Sequence, residues 1–154
     1  LPFVALLIAV TFIDLEHRLI PDVLSLGGLV MGLATAFLLP GDRWIGSFAG
    51  AAVGFGFFFA FAWIYHRATG RVGLGGGDIK FIATLGAFVG LEGVIATIAL
   101  SSMIGSVVGI GWAMAARSRS LTRFAIPYGP FLAAAALIYY LVGDALWLRF
   151  TTPI

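Results

Sequence analysis

Two aspartates, Asp14 and Asp78, are the residues of this sequence best suited to carry out chemistry. Asp14 ends the first apolar segment, while Asp78 follows the glycines 75–77 and begins another. Two carboxyl groups in contact cannot both ionise cheaply, so one of them keeps a proton. The ionised member can activate water as a general base, while the protonated member hydrogen-bonds to a carbonyl group. The pair therefore predicts hydrolysis of the aspartyl-protease type.

The sequence leaves other roles open for both acids and for their polar neighbours. Asp78 could instead cap the helix that follows it, and Asp14 could pair with Arg18 at i,i+4 spacing. Asp22 precedes an apolar run, which favours N-capping. Lys80 could tune Asp78 or anchor at the lipid headgroups.

Composition indicates that these residues belong to a membrane protein. The chain has 154 residues, of which 61% are hydrophobic and 10% are charged, whereas a soluble domain carries about 25% charged residues. The sequence has no cysteine, which excludes disulfides and thiolate zinc sites within it. Its two histidines lie far apart, and we expect neither a metal site nor a cofactor.

Six apolar segments approach the roughly 20 residues that a membrane-spanning helix needs. We predict an all-α polytopic membrane protein, a single domain over residues 1–154, in which Glu92-Gly93 joins the fourth and fifth spans. We also expect that an N-terminal part of the parent protein precedes the first span. The six predicted transmembrane helices are Leu1–Ile13, Val23–Leu39, Trp44–Tyr65, Ile79–Leu91, Val94–Ala116 and Phe131–Trp147.

Basic residues predict how these spans are oriented, because cytoplasmic connections carry an excess of lysine and arginine. All basic residues except Arg43 and Arg149 fall on one side of the predicted membrane. That side would be cytoplasmic, and the order of the spans places Asp14 and Asp78 there at similar depth. Glycines spaced four apart, such as Gly50 and Gly54, favour close helix packing. The glycines before Asp78 (Gly75, Gly76 and Gly77) could adopt unusual backbone angles or admit a neighbouring segment.

Three motifs in this order resemble those of the type IV prepilin leader peptidases. They are IDLEHRLIPD after the first span, GLGGGDIK before the fourth and IPYGPFLA before the last. These enzymes belong to the GxGD intramembrane aspartyl proteases, which include the archaeal preflagellin peptidases. The resemblance covers essentially the whole sequence. It implies that Asp14 and Asp78 correspond to the two catalytic aspartates of the family.

The resemblance also implies a substrate and a location. The family removes the short basic leader from type IV prepilins and the related pseudopilins of type II secretion, on the cytoplasmic side of the bacterial inner membrane. Glu16 and Asp22 are candidates for attracting the basic leader. Many bacterial members have a segment with paired cysteines that is linked to methylation of the new N-terminus. Because this sequence lacks cysteine, methyltransferase activity is not assigned to it. Membrane lipid is the other expected partner, and no nucleic acid is expected.

Two other classes of function compete with the peptidase. A small membrane transporter could use the same acids to relay protons or ions, and a structural subunit of a secretion system would account for the glycine-rich helices. Both key acids, however, are predicted at one edge of the membrane, and spans two, five and six have no central charge. The structural role would leave the acid pair unused.

Overall fold

The computed structural model describes residues 2–38, 43–115 and 127–151, and the side chains among them other than those of residues 112, 113, 115 and 144–151. Within these ranges the protein is entirely helical, as predicted, and has no strand. The basic residues Arg117, Arg119 and Arg123 lie outside the described residues. The five helices are α1 (Pro2–His17), α2 (Asp22–Leu38), α3 (Arg43–Thr69), α4 (Gly76–Ala115) and α5 (Gly129–Thr151).

The described residues form five helices rather than the predicted six, because the predicted fourth and fifth spans belong to one helical run, α4. This run is interrupted at Gly90, which has φ 74° and ψ −175°. A positive φ of this size is strained for residues with a Cβ and is readily adopted by glycine. The break therefore falls at Gly90, and not at the predicted Glu92-Gly93 connection.

The break at Gly90 reverses the direction of α4. A Cβ added to Gly54 of α3 would lie 2.9 Å from Val94 Cγ2 and 3.0 Å from the Ile82 carbonyl oxygen. In a straight helix, twelve residues would separate Ile82 and Val94 by about 18 Å. The first arm of α4 (residues 76–89) and the second arm (residues 91–115) are thus antiparallel, and both pass the same part of α3.

Glycines let the first arm of α4 lie directly against α3. A Cβ on Gly50 would lie 2.5 Å from the Gly86 carbonyl oxygen and 2.6 Å from the Gly90 carbonyl carbon. No side chain fits in that space, so the two backbones are in contact, as small residues allow in membrane helices. This packing fixes the helix whose first turn carries Asp78.

The core is built around the first arm of α4. Phe81, Ile82 and Leu85 are completely buried there, together with Val10 of α1 and Leu132 of α5. Many large apolar side chains on the outer faces are exposed, which suits helices that contact lipid. By length and composition, Arg43–Thr69 and Gly76–Gly111 are candidate membrane spans, the second divided by the break at Gly90, and shorter apolar helices cover Asp22–Leu38 and Gly129–Gly143.

Candidate active site

Asp14 lies in the last turn of α1 and is held by the start of α5. Its side chain is 5% exposed, and its Oδ2 accepts a hydrogen bond of 3.0 Å from the backbone N–H of Gly129. Its carbonyl oxygen accepts the N–H of Arg18, which ends the helix with φ 52°. No ion pair between Asp14 and Arg18 occurs among the described residues. The structure therefore joins Asp14 to α5 rather than to the neighbouring arginine.

Gly129 leaves the space that the Asp14 carboxyl group occupies. A Cβ at position 129 would lie 2.6 Å from Asp14 Oδ2 and 3.1 Å from its Cγ, so a larger residue would displace the acid. Gly129 also begins α5, and a helix N-terminus presents free N–H groups and positive partial charge to an acid. Sequence reasoning gave this glycine no role, although it lies in the motif IPYGPFLA.

Asp78 lies in the first turn of α4 and is half-buried. Its backbone N–H donates a hydrogen bond of 3.1 Å to the Gly75 carbonyl oxygen. A Cβ on Gly77 would lie 3.0 Å from Ile20 Cβ and 3.2 Å from the Ile20 carbonyl oxygen, whereas Gly76 has open space around it. None of these glycines has a positive φ. Gly77 therefore leaves space for the connection between α1 and α2, while a Cβ on Gly75 would lie 3.1 Å from Asp78 Oδ2.

Asp14 and Asp78 act on each other electrostatically. They come from different helices, and burial removes both from part of their solvent. No hydrogen bond joins the two carboxyl groups in the described part of the chain. No group of three or more histidine, aspartate or glutamate side chains able to hold a metal occurs among the described residues.

Lys80 and Asp22 form an ion pair beside this site. Lys80 Nζ lies 2.7 Å from both carboxylate oxygens of Asp22, and the two side chains are 37% and 59% exposed. One helical turn further on, the Thr84 hydroxyl donates a hydrogen bond of 2.5 Å to the Ser25 carbonyl oxygen. These two contacts connect the start of α2 to the helical turns that follow Asp78.

Glu16 and Tyr128 are close in sequence to the residues of the site, Glu16 to Asp14 and Tyr128 to Gly129. The Glu16 side chain is 79% exposed and lies 4.0 Å from His17. The Tyr128 hydroxyl group is 3.0 Å from Ser101 Oγ and 3.4 Å from Ser102 Oγ, both on the second arm of α4. These contacts hold Tyr128, the residue before Gly129, against the second arm of α4. Sequence reasoning did not identify it, although the motif IPYGPFLA contains it.

Comparison with known proteins gives the class of this helical bundle. The chain belongs to the type IV leader peptidase family, whose family model matches residues 1–110. This membership confirms the resemblance inferred from the three motifs. Together with the apolar helices, it indicates an integral inner-membrane protein.

Curated relatives carry the name prepilin leader peptidase/N-methyltransferase. The protein from Xanthomonas campestris pv. campestris is 37% identical, over 94% of this chain and 50% of the relative. The protein from Aeromonas hydrophila is 39% identical over 91% and 48%, and that from Bacillus subtilis is 34% identical over 94% and 55%. The chain thus spans about half the length of these relatives. No solved structure has significant similarity to it.

Proposed function

We propose that this chain is the proteolytic part of an aspartyl endopeptidase that removes the basic leader from prepilins or pseudopilins. Its family and the names of its relatives support a peptidase. The observation that carries the aspartyl mechanism is that two acids shielded from solvent, Asp14 on α1 and Asp78 on α4, lie close enough for their charges to interact.

The two acids divide the work of hydrolysis. The Gly129 N–H stabilises the ionised form of Asp14, so Asp14 takes a proton from water as the water oxygen attacks the scissile carbonyl carbon. Asp78 keeps its proton and hydrogen-bonds to the carbonyl oxygen. When the C–N bond breaks, the leaving amine receives a proton from the pair. This sequence of steps needs neither a metal nor an organic cofactor.

The active end of the bundle is assigned to the cytoplasm. Arg18, Arg67, Arg71 and Lys80 all lie in or beside the connections at the end that carries Asp14 and Asp78, and basic residues favour the cytoplasmic side. Because α4 reverses at Gly90, its two arms count as separate crossings. The chain then crosses the membrane six times, with the Gly90 break at the outer side.

The geometry gives less support to ion transport. A proton or ion path needs polar groups through the membrane, whereas the interacting acids lie at one end of the bundle. The family match and the names of the relatives also favour a peptidase.

Cleavage of a prepilin by the purified protein in detergent tests the proposal. Asp14→Asn and Asp78→Asn should each lower kcat by a factor of about a thousand or more, a loss of catalysis comparable to removing a general base or nucleophile. Glu92→Gln is the matched control, because Glu92 is an exposed acid on the second arm of α4 near the Gly90 break. Substantial cleavage by both asparagine variants, in folded form, would refute the acid pair.

A further inference from the structure

A cavity of about 420 Å³ lies between α3, the second arm of α4 and the start of α5. Its α3 wall includes the rings of Phe57 and Phe61, which are 53% and 51% exposed. The facing wall on the second arm consists of the small residues Ser102, Gly105 and Ser106. The lack of bulk on this wall leaves the space open.

This space, which we call the Tyr128 cavity, is linked to Asp14 through the neighbouring residues Tyr128 and Gly129. Tyr128 lines it, and the next residue, Gly129, donates the hydrogen bond to Asp14. The Tyr128 ring lies 6.1 Å from that of Phe58 and 6.4 Å from that of Phe131, measured between centroids. A chain bound in the cavity would therefore contact Tyr128, the residue that precedes the Gly129 N–H group holding Asp14.

The lining of the Tyr128 cavity favours an apolar occupant. No charged side chain lines it among the described residues, and its volume falls within the range of about 300–1,000 Å³ that is usual for ligand pockets. The polar and charged groups near the acid pair, Glu16, Asp22 and Lys80, are not part of its lining. The family resemblance implies a substrate whose basic leader is followed by a hydrophobic helix, so the leader would meet the charged residues and the apolar helix would suit the cavity.

We propose that the Tyr128 cavity binds apolar side chains of the substrate segment that follows the scissile bond. This inference rests on the proposed function and assigns Phe57, Phe61, Gly105 and Ser106 to substrate recognition. Burial of one large apolar side chain in such a cavity raises affinity for that segment, and small residues on the second arm allow the substrate backbone to approach.

The variant Gly105→Leu tests the assignment by filling the cavity. A Cβ at Gly105 would lie 3.5 Å from Tyr128 Cε2 and 3.8 Å from Phe131 Cδ2, which are ordinary contacts, so the backbone tolerates a side chain there. Gly111→Leu is the matched control, because Gly111 belongs to the same arm and has no atom within 4 Å of an added Cβ. Ser106→Leu fills the cavity from an exposed position and replaces Gly105→Leu if that variant does not fold.

Two substrates with the same leader and scissile bond separate binding in the cavity from catalysis. One carries large apolar side chains in the first turns after the bond, and in the other these are alanines. The unaltered protein should prefer the first by about tenfold in kcat/KM, as expected for about 1.4 kcal/mol of binding. Gly105→Leu should remove most of this preference by raising KM for the first substrate far more than for the alanine substrate. Gly111→Leu should keep the preference.

Each other result overturns the assignment. An equal loss on both substrates would mean that the leucine disturbs Asp14 through Tyr128. Unchanged cleavage of both by Gly105→Leu and Ser106→Leu would mean that the cavity is empty or filled by lipid during the reaction. If the unaltered protein cleaves neither substrate, the proposed function itself fails, and the role of the cavity fails with it.

Discussion

Glycines serve two different purposes at the two ends of this molecule. At the active end, Gly77 and Gly129 have ordinary backbone angles and are needed because neighbouring atoms occupy the place of a side chain. At the other end, Gly90 has open space for a Cβ, with the nearest atom at 3.8 Å, but its φ of 74° reverses α4. Substitution of a glycine at the active end should therefore impair catalysis, whereas substitution of Gly90 should impair folding.

Gly129→Ala should give the largest effect in this comparison. The added Cβ would lie 2.6 Å from Asp14 Oδ2, so the carboxyl group must move and its hydrogen bond must lengthen or break. Loss of one well-placed group in an active site lowers kcat by about 10²–10³, and we expect a decrease of this size in prepilin cleavage. The protein should still fold, because the displaced atoms belong to one side chain.

Gly76→Ala is the matched control for that prediction. Gly76 is two residues from Asp78, yet no atom lies within 4 Å of an added Cβ, and alanine favours the helix over glycine by about 1 kcal/mol. Cleavage by this variant should be close to that of the unaltered protein. If Gly76→Ala and Gly129→Ala lowered kcat equally, the space around a glycine would not explain its effect on cleavage.

Gly90→Ala should lower stability and leave the chemistry intact. With φ 74° and ψ −175°, Gly90 lies in a backbone region that is essentially open only to glycine, where strain costs about 1–3 kcal/mol, and no close contact adds to it at this position. Unfolding in detergent, followed by helical circular dichroism, should show a destabilisation of this size, while kcat per folded molecule stays the same. Gly46→Ala is the control, because Gly46 is helical and has open space.

The opposite result would contradict the division between the two ends. If Gly90→Ala lowered kcat strongly without a change in stability, the break in α4 would be coupled to the acid pair. The conformation at Gly90 would then belong to the active site as much as Gly129 does.

The sequence was sufficient for the helical class and the family, and it singled out the two acids as candidates, because each depends on local signals. Apolar runs predict helices, and an acid at the end of such a run is unusual enough to stand out. The contact of Gly129 with Asp14 joins residues 115 positions apart, and no pattern within either segment encodes it. The break at Gly90 was also missed, because a glycine inside an apolar helix looks the same whether it packs against a neighbour or reverses the chain.

Breaking the ion pair between Lys80 and Asp22, at the polar edge of the active end, should have the smallest effect on cleavage. Both side chains are partly exposed, and such pairs contribute about 0–1 kcal/mol to stability. Lys80 is, however, two residues from Asp78, and the pair connects that turn to the start of α2. We therefore expect Lys80→Met and Asp22→Asn each to lower kcat about threefold to fivefold, with little change in stability.

The double variant determines whether the two residues act as a pair. Removing either partner breaks the same connection, so Lys80→Met combined with Asp22→Asn should be no worse than either single change. If Asp22 instead attracted the basic leader, Asp22→Asn would raise KM at low salt, and this increase would fade as salt screens the charge. A change confined to kcat, at any salt concentration, therefore supports a positioning role, whereas additive losses in the double variant would mean that the residues act separately.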